Sequence, residues 1–296
     1  MFSRVVSVFH SNFINRQCWV PCLSGCPTAA KTGNMISGKI INSVKRKSGT
    51  KIQWTDETVN FWVGCEKCSL GCKFCYMYRN ESKYGKNPTE VRRTGYSTFG
   101  RARFWSIPKR IFTCSYSDFF IDKADEWRGD AWEEIRETPQ HQWQILTKRP
   151  QRIIKALPSD WGENGYHNVW LGVSVESQEY MHRVDELLKV PAAIRFISVE
   201  PLIAPVSFKD YNSEILKKID WVIIGGESGW ETGLYRYRKC EIEWIKSIID
   251  ECRLSGTKVF VKQLGSDLAK RLGLKEKFGG DMNEWEKSLQ IREFPE

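Results

Sequence analysis

Val169-Trp-Leu-Gly-Val-Ser174 is a run of six residues without a charged side chain, and it decides the fold class. A short, nearly continuous run of this kind is typical of a parallel strand that is covered on both faces. A shorter apolar segment before a cysteine-rich loop, around Val59, adds a further strand. Similar strand-like runs occur at Arg110–Ser115, Trp143–Thr147, Ile194–Ser198, Trp221–Ile224 and Lys258–Lys262.

Helical spacing appears between these strands. Ile245, Ile248, Ile249 and Cys252 form an i, i+3, i+4, i+7 stripe, and Gly256 is placed to end that helix. The alternation gives about seven βα units, and right-handed crossovers predict an α/β fold, a parallel (β/α) TIM-like barrel that is complete or open. A doubly wound sheet is the alternative, although no Gly-rich dinucleotide fingerprint follows an early strand.

Polar side chains gather at the carboxyl ends of the predicted strands. Chemistry in parallel barrels is located at these ends. Each residue alone is better explained as a capping or solvated loop side chain, but their recurrence at successive strand ends favours a shared site. The candidate site residues at this edge are Ser117, Asp118, Lys148, Arg149, Ser174, Glu176, Glu200 and Glu227.

A cysteine-rich loop follows the first predicted strand. Cys65, Cys68, Cys72 and Cys75 fall within eleven residues, and such short gaps let one loop place three thiolates around an iron–sulfur cluster. Gly71 suits the tight backbone that this requires. Two Cys-x2-Cys pairs also permit a four-thiolate zinc site, but the pairs are only three residues apart, where zinc ribbons usually have about fifteen to twenty. Inert thiols are disfavoured by the crowding.

The spacing of Cys68, Cys72 and Cys75, with Phe74 before the last, resembles the cluster loop of the radical S-adenosylmethionine (SAM) enzymes. The resemblance implies a partial barrel, a [4Fe-4S] cluster, and one open iron that binds the amino and carboxylate groups of SAM. It further implies one-electron cleavage of SAM to a 5′-deoxyadenosyl radical.

Bound SAM would need a cation for its carboxylate and acceptors for its ribose hydroxyls. The candidate cofactor-binding residues are Ser117, Lys148, Arg149, Ser174, Glu176 and Glu200. Asp118 and Glu227 are the candidate catalytic carboxylates. Gly225-Gly226-Glu227 resembles the element that binds the SAM amino group in that superfamily, but it follows about the sixth strand and not the second. We therefore expect Glu227 to face the barrel mouth without that role.

Gly71-Cys72-x2-Cys75-Tyr76, Gln144–Pro150 and Trp221–Ser228 carry a second resemblance. From about Lys51 to Glu296 the chain is similar to phage-associated proteins of unknown function named after gene products thirty-seven and sixty-eight. In that family the usual pattern is Cys-x6-Cys-x2-Cys, which implies Cys65 as the third cluster ligand. The radical SAM spacing implies Cys68 in its place.

Residues 1–50 form a basic leader with seven Lys or Arg and no Asp or Glu, and the rest of the chain is nearly neutral. Such a leader is typical of an organellar transit peptide, whereas a start at Met35 would make residues 1–34 an extension. We expect one domain over residues 51–296, located in the cytoplasm, or in the mitochondrion if residues 1–34 are a transit peptide. No run approaches the roughly eighteen apolar residues of a membrane span, so no membrane is expected.

Residues 79–110 carry nine basic side chains with aromatic residues between them. Charges that track phosphate and rings that stack on bases suit a nucleic-acid strand. An insertion that packs its aromatic side chains on the barrel is the alternative, and it is the one we favour. The aromatic residues are Tyr84, Tyr96, Phe99, Phe104 and Trp105.

Three functions are consistent with these patterns. The first is a radical SAM-type iron–sulfur enzyme that needs a reductant for its cluster. A fold-level analogy with radical enzymes that repair DNA photolesions favours a nucleic acid or nucleotide as its substrate. The second is a zinc-stabilised nucleic-acid-binding barrel, and the third is a non-catalytic partner protein that kept the barrel.

Overall fold

The computed structural model describes residues 49–296. The expectations for residues 1–34, and for nearly all of the leader up to residue 50, fall outside the described residues. Within the described range the strands are β1 (Glu57–Val59), β2 (Trp62–Val63), β3 (Arg92–Arg93), β4 (Arg110–Thr113), β5 (Gln142–Thr147), β6 (Val169–Ser174), β7 (Ile194–Val199), β8 (Trp221–Gly225) and β9 (Lys258–Gln263). The α-helices are α1 (Tyr76–Lys83), α2 (Tyr96–Phe99), α3 (Asp125–Arg136), α4 (Ile153–Ala156), α5 (His182–Leu188), α6 (Phe208–Tyr211), α7 (Ile242–Ser255) and α8 (Ser266–Arg271).

Seven of these strands form one parallel sheet in the order β1-β4-β5-β6-β7-β8-β9, and the sheet is curled into a half-barrel. The prediction of seven parallel strands is confirmed. A closed TIM barrel is not, because β1 and β9 do not pair with each other in the described part of the chain. The strand order never reverses, so the doubly wound alternative is wrong.

The inner face of the half-barrel is filled with aromatic side chains at the amino ends of the strands. Trp54 packs there as a lid, with its ring centroid 4.6 Å from that of Phe112 and 6.1 Å from that of Trp221. Gly172 leaves room for this packing, because a β-carbon at that position would lie 2.5 Å from the ring of Phe196. The remaining space inside the half-barrel is therefore at the carboxyl ends of the strands.

Helices and long loops cover the outer face of the sheet. The stripe predicted for the last long helix is confirmed, since Ile245, Ile248, Ile249 and Cys252 of α7 are all buried. Gly256 ends that helix in the left-handed region, with φ of 78°. Among residues 49–296, no helix combines the length and the apolar character needed to span a membrane.

Most of the basic segment at residues 79–110 packs against the half-barrel. Phe99 is buried, and four arginines are held by carboxylates. The nitrogen–oxygen distances are 2.5 Å for Arg92–Glu81, 2.8 Å for Arg93–Asp130, 3.0 Å for Arg101–Glu57 and 2.5 Å for Arg103–Glu134. The ion pairs agree with packing of this segment against the half-barrel, but the aromatic part of the interpretation holds only in part, because Tyr84, Tyr96 and Phe104 are exposed.

Candidate metal and cofactor site at the cysteine loop

The cysteine loop connects β2 to α1 and lies at the carboxyl end of β4. The Gly64 amide donates to the Tyr116 carbonyl over 3.0 Å, and the Ser117 hydroxyl donates to the Gly64 carbonyl over 2.5 Å. Gly64 has φ of 91°, and a β-carbon there would lie 2.0 Å from the Glu90 carbonyl oxygen. Glycine at this position therefore lets the chain turn into the loop from β2, which pairs with β3 in a separate two-stranded antiparallel sheet. The predicted site residue Ser117 acts here as an anchor of the loop.

Glu176 anchors the middle of the loop from the end of β6. It is fully buried, and its oxygens accept hydrogen bonds from Ser69 Oγ over 2.7 Å and from Arg183 over 2.8 Å. Lys148 Nζ lies 3.3 Å away. Burial alone would raise the pKa of Glu176, but the charges of Lys148 and Arg183 outweigh it and place the pKa below its ordinary value. Glu176 is therefore a carboxylate that fixes the loop.

Gly71 is the point of closest approach between the loop and this carboxylate. A β-carbon at Gly71 would lie 2.5 Å from both Cγ and Oε1 of Glu176. Because Arg183 and Ser69 hold Glu176 in place, the side chain has little room to move. We selected Gly71 from the sequence for the tight backbone conformation of the loop, but the structure shows that glycine is required here mainly because a side chain would not fit against Glu176.

Three further side chains hold the loop backbone, and sequence reasoning missed two of them. Tyr180 accepts a hydrogen bond from the Leu70 amide over 3.0 Å, and Arg238 donates to the Leu70 carbonyl over 2.8 Å. Arg149, which was a candidate, donates to the Glu66 carbonyl over 2.8 Å. Tyr180 and Arg238 follow no strand end or recognisable spacing, so no local signal could have marked them.

The four thiols form one electrostatically coupled group. Cys68 is exposed, and the other three are partly buried. The Cys68 and Cys72 thiols are coupled: the neighbouring Cys68, together with the charge of Lys148, lowers the pKa of Cys72, while the same coupling and burial raise the pKa of Cys68. Burial and the nearby Asp118 charge raise the pKa of Cys65 to about 12, although Arg149 Nη1 lies 3.9 Å from its sulfur.

Cys75 lies at the amino end of α1. Burial raises the pKa of the Cys75 thiol, while its position beside the backbone N–H groups of Met77 and Tyr78 acts in the opposite direction. Donors of this kind stabilise a metal-bound thiolate. The first turn of α1 therefore suits Cys75 as a ligand.

The donor set fits an iron–sulfur cluster or zinc in its chemistry but is not arranged around an ion. Among residues 49–296, no group of three or more His, Cys, Asp or Glu side chains is already positioned to hold a metal. Four thiols in one loop beside the cations Lys148 and Arg149 match the ligand chemistry of a cluster. Only the pKa of Cys72 is lowered, whereas those of Cys65, Cys68 and Cys75 are raised, so metal binding would have to displace their protons. Binding would require the cysteine side chains to turn toward a common centre.

Asp118 joins the ends of β4 and β5. Its Oδ1 accepts from Thr147 Oγ1 over 2.7 Å and from the Phe120 amide over 2.9 Å. Its Oδ2 accepts from the Lys148 amide over 2.9 Å and from Arg149 Nη1 over 3.2 Å. With both oxygens occupied, this buried carboxylate is placed to orient Arg149 beneath the cysteine loop. Its catalytic role stays a prediction.

Glu227 and Glu200 are also bound to cations. Glu227 is buried and accepts from Arg238 Nε over 2.8 Å, so it positions the arginine that holds Leu70. Glu200 forms an ion pair with Lys262 inside the half-barrel. Ser174 is the last residue of β6, and its carbonyl accepts from Arg183 over 2.8 Å. Ser117, Asp118, Glu176 and Glu227 are thus linked to the loop, directly or through an arginine, whereas Glu200 is paired with Lys262 apart from it.

A cavity of about 350 Å³ opens beside Cys68, a volume within the range typical of small-molecule sites. Lys148, Arg149 and Arg183 lie along it with Tyr180. The cations give it the character needed for a carboxylate or phosphate. All three are also engaged by Glu176 or Asp118, so the cavity has no large excess charge.

Residues 49–292 match the sequence model of the family described as Protein of unknown function (DUF5131), and the chain belongs to this family. The match covers nearly all of the described residues and includes the complete cysteine loop. Comparisons with curated proteins and with solved structures found no match.

Proposed function

We propose that this member of the DUF5131 family is a radical SAM-type iron–sulfur enzyme. Cys72, Cys75 and either Cys65 or Cys68 would hold a [4Fe-4S] cluster. The observation that carries the proposal is the position of the cysteine loop, which strand-end residues of a parallel half-barrel fix at its carboxyl edge. Its relation to the phage-associated proteins named after gene products thirty-seven and sixty-eight is part of the same proposal.

The bound cluster would supply one electron for the cleavage of SAM to a 5′-deoxyadenosyl radical. The residues of the chain bind and orient the cofactor. Lys148 and Arg149 face both the thiols and the cavity beside Cys68, so they are placed to hold the SAM carboxylate. Glu200 and Lys262, inside the half-barrel, offer an acceptor and a donor for ribose or substrate hydroxyls.

The test is turnover of SAM by protein that is purified and reconstituted without oxygen. With dithionite as the reductant, the protein should release 5′-deoxyadenosine, which chromatography quantifies. Cys72→Ala and Cys75→Ala should each abolish the product. Cys240→Ala is the matched control, because this buried thiol lies outside the loop, and it should retain both iron and activity.

Cys65→Ala and Cys68→Ala identify the third ligand. One of the two should lose the cluster and the other should retain it. A colourless protein that contains zinc and forms no 5′-deoxyadenosine would overturn the proposal.

A four-thiolate zinc site is the second candidate function, and the closeness of the Cys68 and Cys72 thiols, which shifts the pKa of both, favours it. This contact brings the exposed thiol into the group, as a zinc site with four cysteine ligands requires. It would make the chain a zinc-stabilised binding protein. One zinc per chain, lost on replacement of any of the four cysteines, would support this alternative.

A further inference from the structure

The cysteine loop, α1 and the residues just after α1 carry a group of cations that carboxylates do not neutralise. They are Lys67, Lys73, Arg79, Lys83 and Lys86. In the range that the structure describes, none of them forms an ion pair, whereas arginines later in the same basic segment do. The only acidic residue between positions 67 and 86 is Glu81, which is buried and bound to Arg92. This stretch therefore presents uncompensated positive charge.

A second segment extends this charge along the edge of the half-barrel. Tyr235, in the loop between β8 and α7, contacts Ser82 of α1 through its hydroxyl over 3.4 Å. The adjacent Arg236 is exposed, and within residues 49–296 its side chain bonds only to the Gly233 carbonyl of its own loop. The three acidic residues of this loop are all paired with cations: Glu227 with Arg238, Glu231 with Lys270 over 2.5 Å, and Glu241 with Lys239 and Arg271. We name Lys67, Lys73, Arg79, Lys83, Lys86 and Arg236 the basic rim.

Exposed aromatic rings accompany the basic rim. Tyr84 follows α1 and is 73% exposed, and Trp230 in the β8–α7 loop is 51% exposed. Neither ring is needed to fill the core. One face of α1 also contacts the segment that follows β4. Tyr76 donates to the Ser115 carbonyl over 2.5 Å, and Asn80 donates to the Tyr116 hydroxyl over 2.7 Å. The rim is thus continuous with the carboxyl end of the half-barrel, beside Cys75.

We propose that the basic rim binds single-stranded nucleic acid, with its cations on successive phosphates and with Tyr84 and Trp230 stacked on bases. Uncompensated charge explains the attraction to a polyanion, and exposed rings favour unpaired bases over the closed stack of a duplex. An acidic protein would use the charge without needing two exposed rings. An anionic membrane could take both the charge and the rings, so lipid vesicles are the competing ligand in the test. The claim that the rim binds the substrate of the enzyme rests on the proposed function. The binding of nucleic acid by the rim does not require that the protein cleave SAM.

The test is the binding of fluorescently labelled single-stranded DNA and RNA to the full chain, measured by anisotropy over a range of NaCl concentrations. The triple variant K83A/K86A/R236A should weaken binding about tenfold or more. It should also reduce the slope of log K against log salt by about 2, because each phosphate contact on a single strand contributes about 0.7. Tyr84→Ala should weaken binding about fivefold or more with the slope unchanged.

The matched control is K155A/K209A/K218A, which removes three exposed and unpaired cations from other helices of the described chain. It should leave both affinity and slope close to those of the wild type. Equal losses in the two triple variants would overturn the proposal. Duplex DNA or vesicles of anionic lipid that bind as tightly as single strands would also overturn it. Single-strand binding by a protein that cleaves no SAM would support the proposal for the basic rim and would reject the proposed function.

Discussion

At the scale of single residues, Glu176 links the half-barrel to the cysteine loop. Its carboxylate accepts from Ser69 of the loop and from Arg183 of α5, and Gly71 lies against it without a side chain. A buried carboxylate with two cations is stabilised only as long as its partners stay in place. The position of the loop therefore depends on the fit of Gly71 against a carboxylate that cannot move away.

Gly71→Ala should disturb this fit. The added methyl group would lie 2.5 Å from Glu176, so we expect the free energy of unfolding to fall by about 1–3 kcal/mol. We also expect the purified protein to retain less metal. Urea denaturation and metal analysis measure the two effects.

Gly129→Ala is the control for this substitution. Gly129 lies in α3, no atom lies within 4 Å of a β-carbon at that position, and replacement there should stabilise the helix by about 0.5–1 kcal/mol. If Gly71→Ala keeps the stability and metal content of the wild type, Glu176 does not fix the loop in the way described.

The carboxylates of this network could be identified from the sequence, but the arginines that bind them could not. Glu176, Asp118 and Glu227 were found because they directly follow strands that can be recognised from their apolar runs. Arg183 and Arg238, which bind two of these carboxylates, lie within a helix and a long loop. Their positions follow from tertiary packing, which local spacing does not encode.

At the scale of elements, the strands after the cysteine loop were predictable because each is a short apolar run covered on both faces. The prediction for β6 matches its observed bounds, and those for β7, β8 and β9 differ by one residue at the carboxyl end. The edge strand β1 is only three residues long and alternates buried and half-buried positions. A segment that short carries little periodicity, so its pairing with β4 could not be read from the sequence.

His141 joins elements at the amino end of β5. The Lys109 amide donates to its Nδ1 over 3.2 Å, so Nε2 carries the proton and donates to the Ala102 carbonyl over 3.0 Å. The ring is fully buried, and burial lowers the pKa of His141 below its ordinary 6.5. Protonation of Nδ1 would also break the hydrogen bond from Lys109.

This arrangement predicts a loss of stability in mild acid. As the pH falls through about 6.5, the unfolded chain takes up a proton at His141 before the folded chain does, and the free energy of unfolding therefore falls. His141→Gln does not titrate in this range. Urea denaturation at pH 7.5 and at pH 5.5 should show a larger loss for the wild type than for the variant. An identical loss in both would show that His141 contributes nothing to the pH dependence.

At the scale of the whole molecule, the inner face of the half-barrel is open at the carboxyl ends of its strands. The cysteine loop and the basic rim lie along this end. The aromatic side chains around Trp54 fill the opposite end of the inner face. Strand runs alone predicted seven parallel strands. They could not predict that the sheet stays open, because closure depends on whether β1 and β9 meet, and neither strand carries a signal for that pairing.

The central claim is that the cysteine loop holds a cluster with one iron free for SAM. Electron paramagnetic resonance of the anaerobically reconstituted and dithionite-reduced protein, recorded with and without SAM, tests it most directly. The account predicts about four irons per chain, a signal from a reduced [4Fe-4S] cluster, and a changed spectrum when SAM is added. A protein that binds zinc and gives no such signal, or a cluster signal that SAM leaves unchanged, would contradict it.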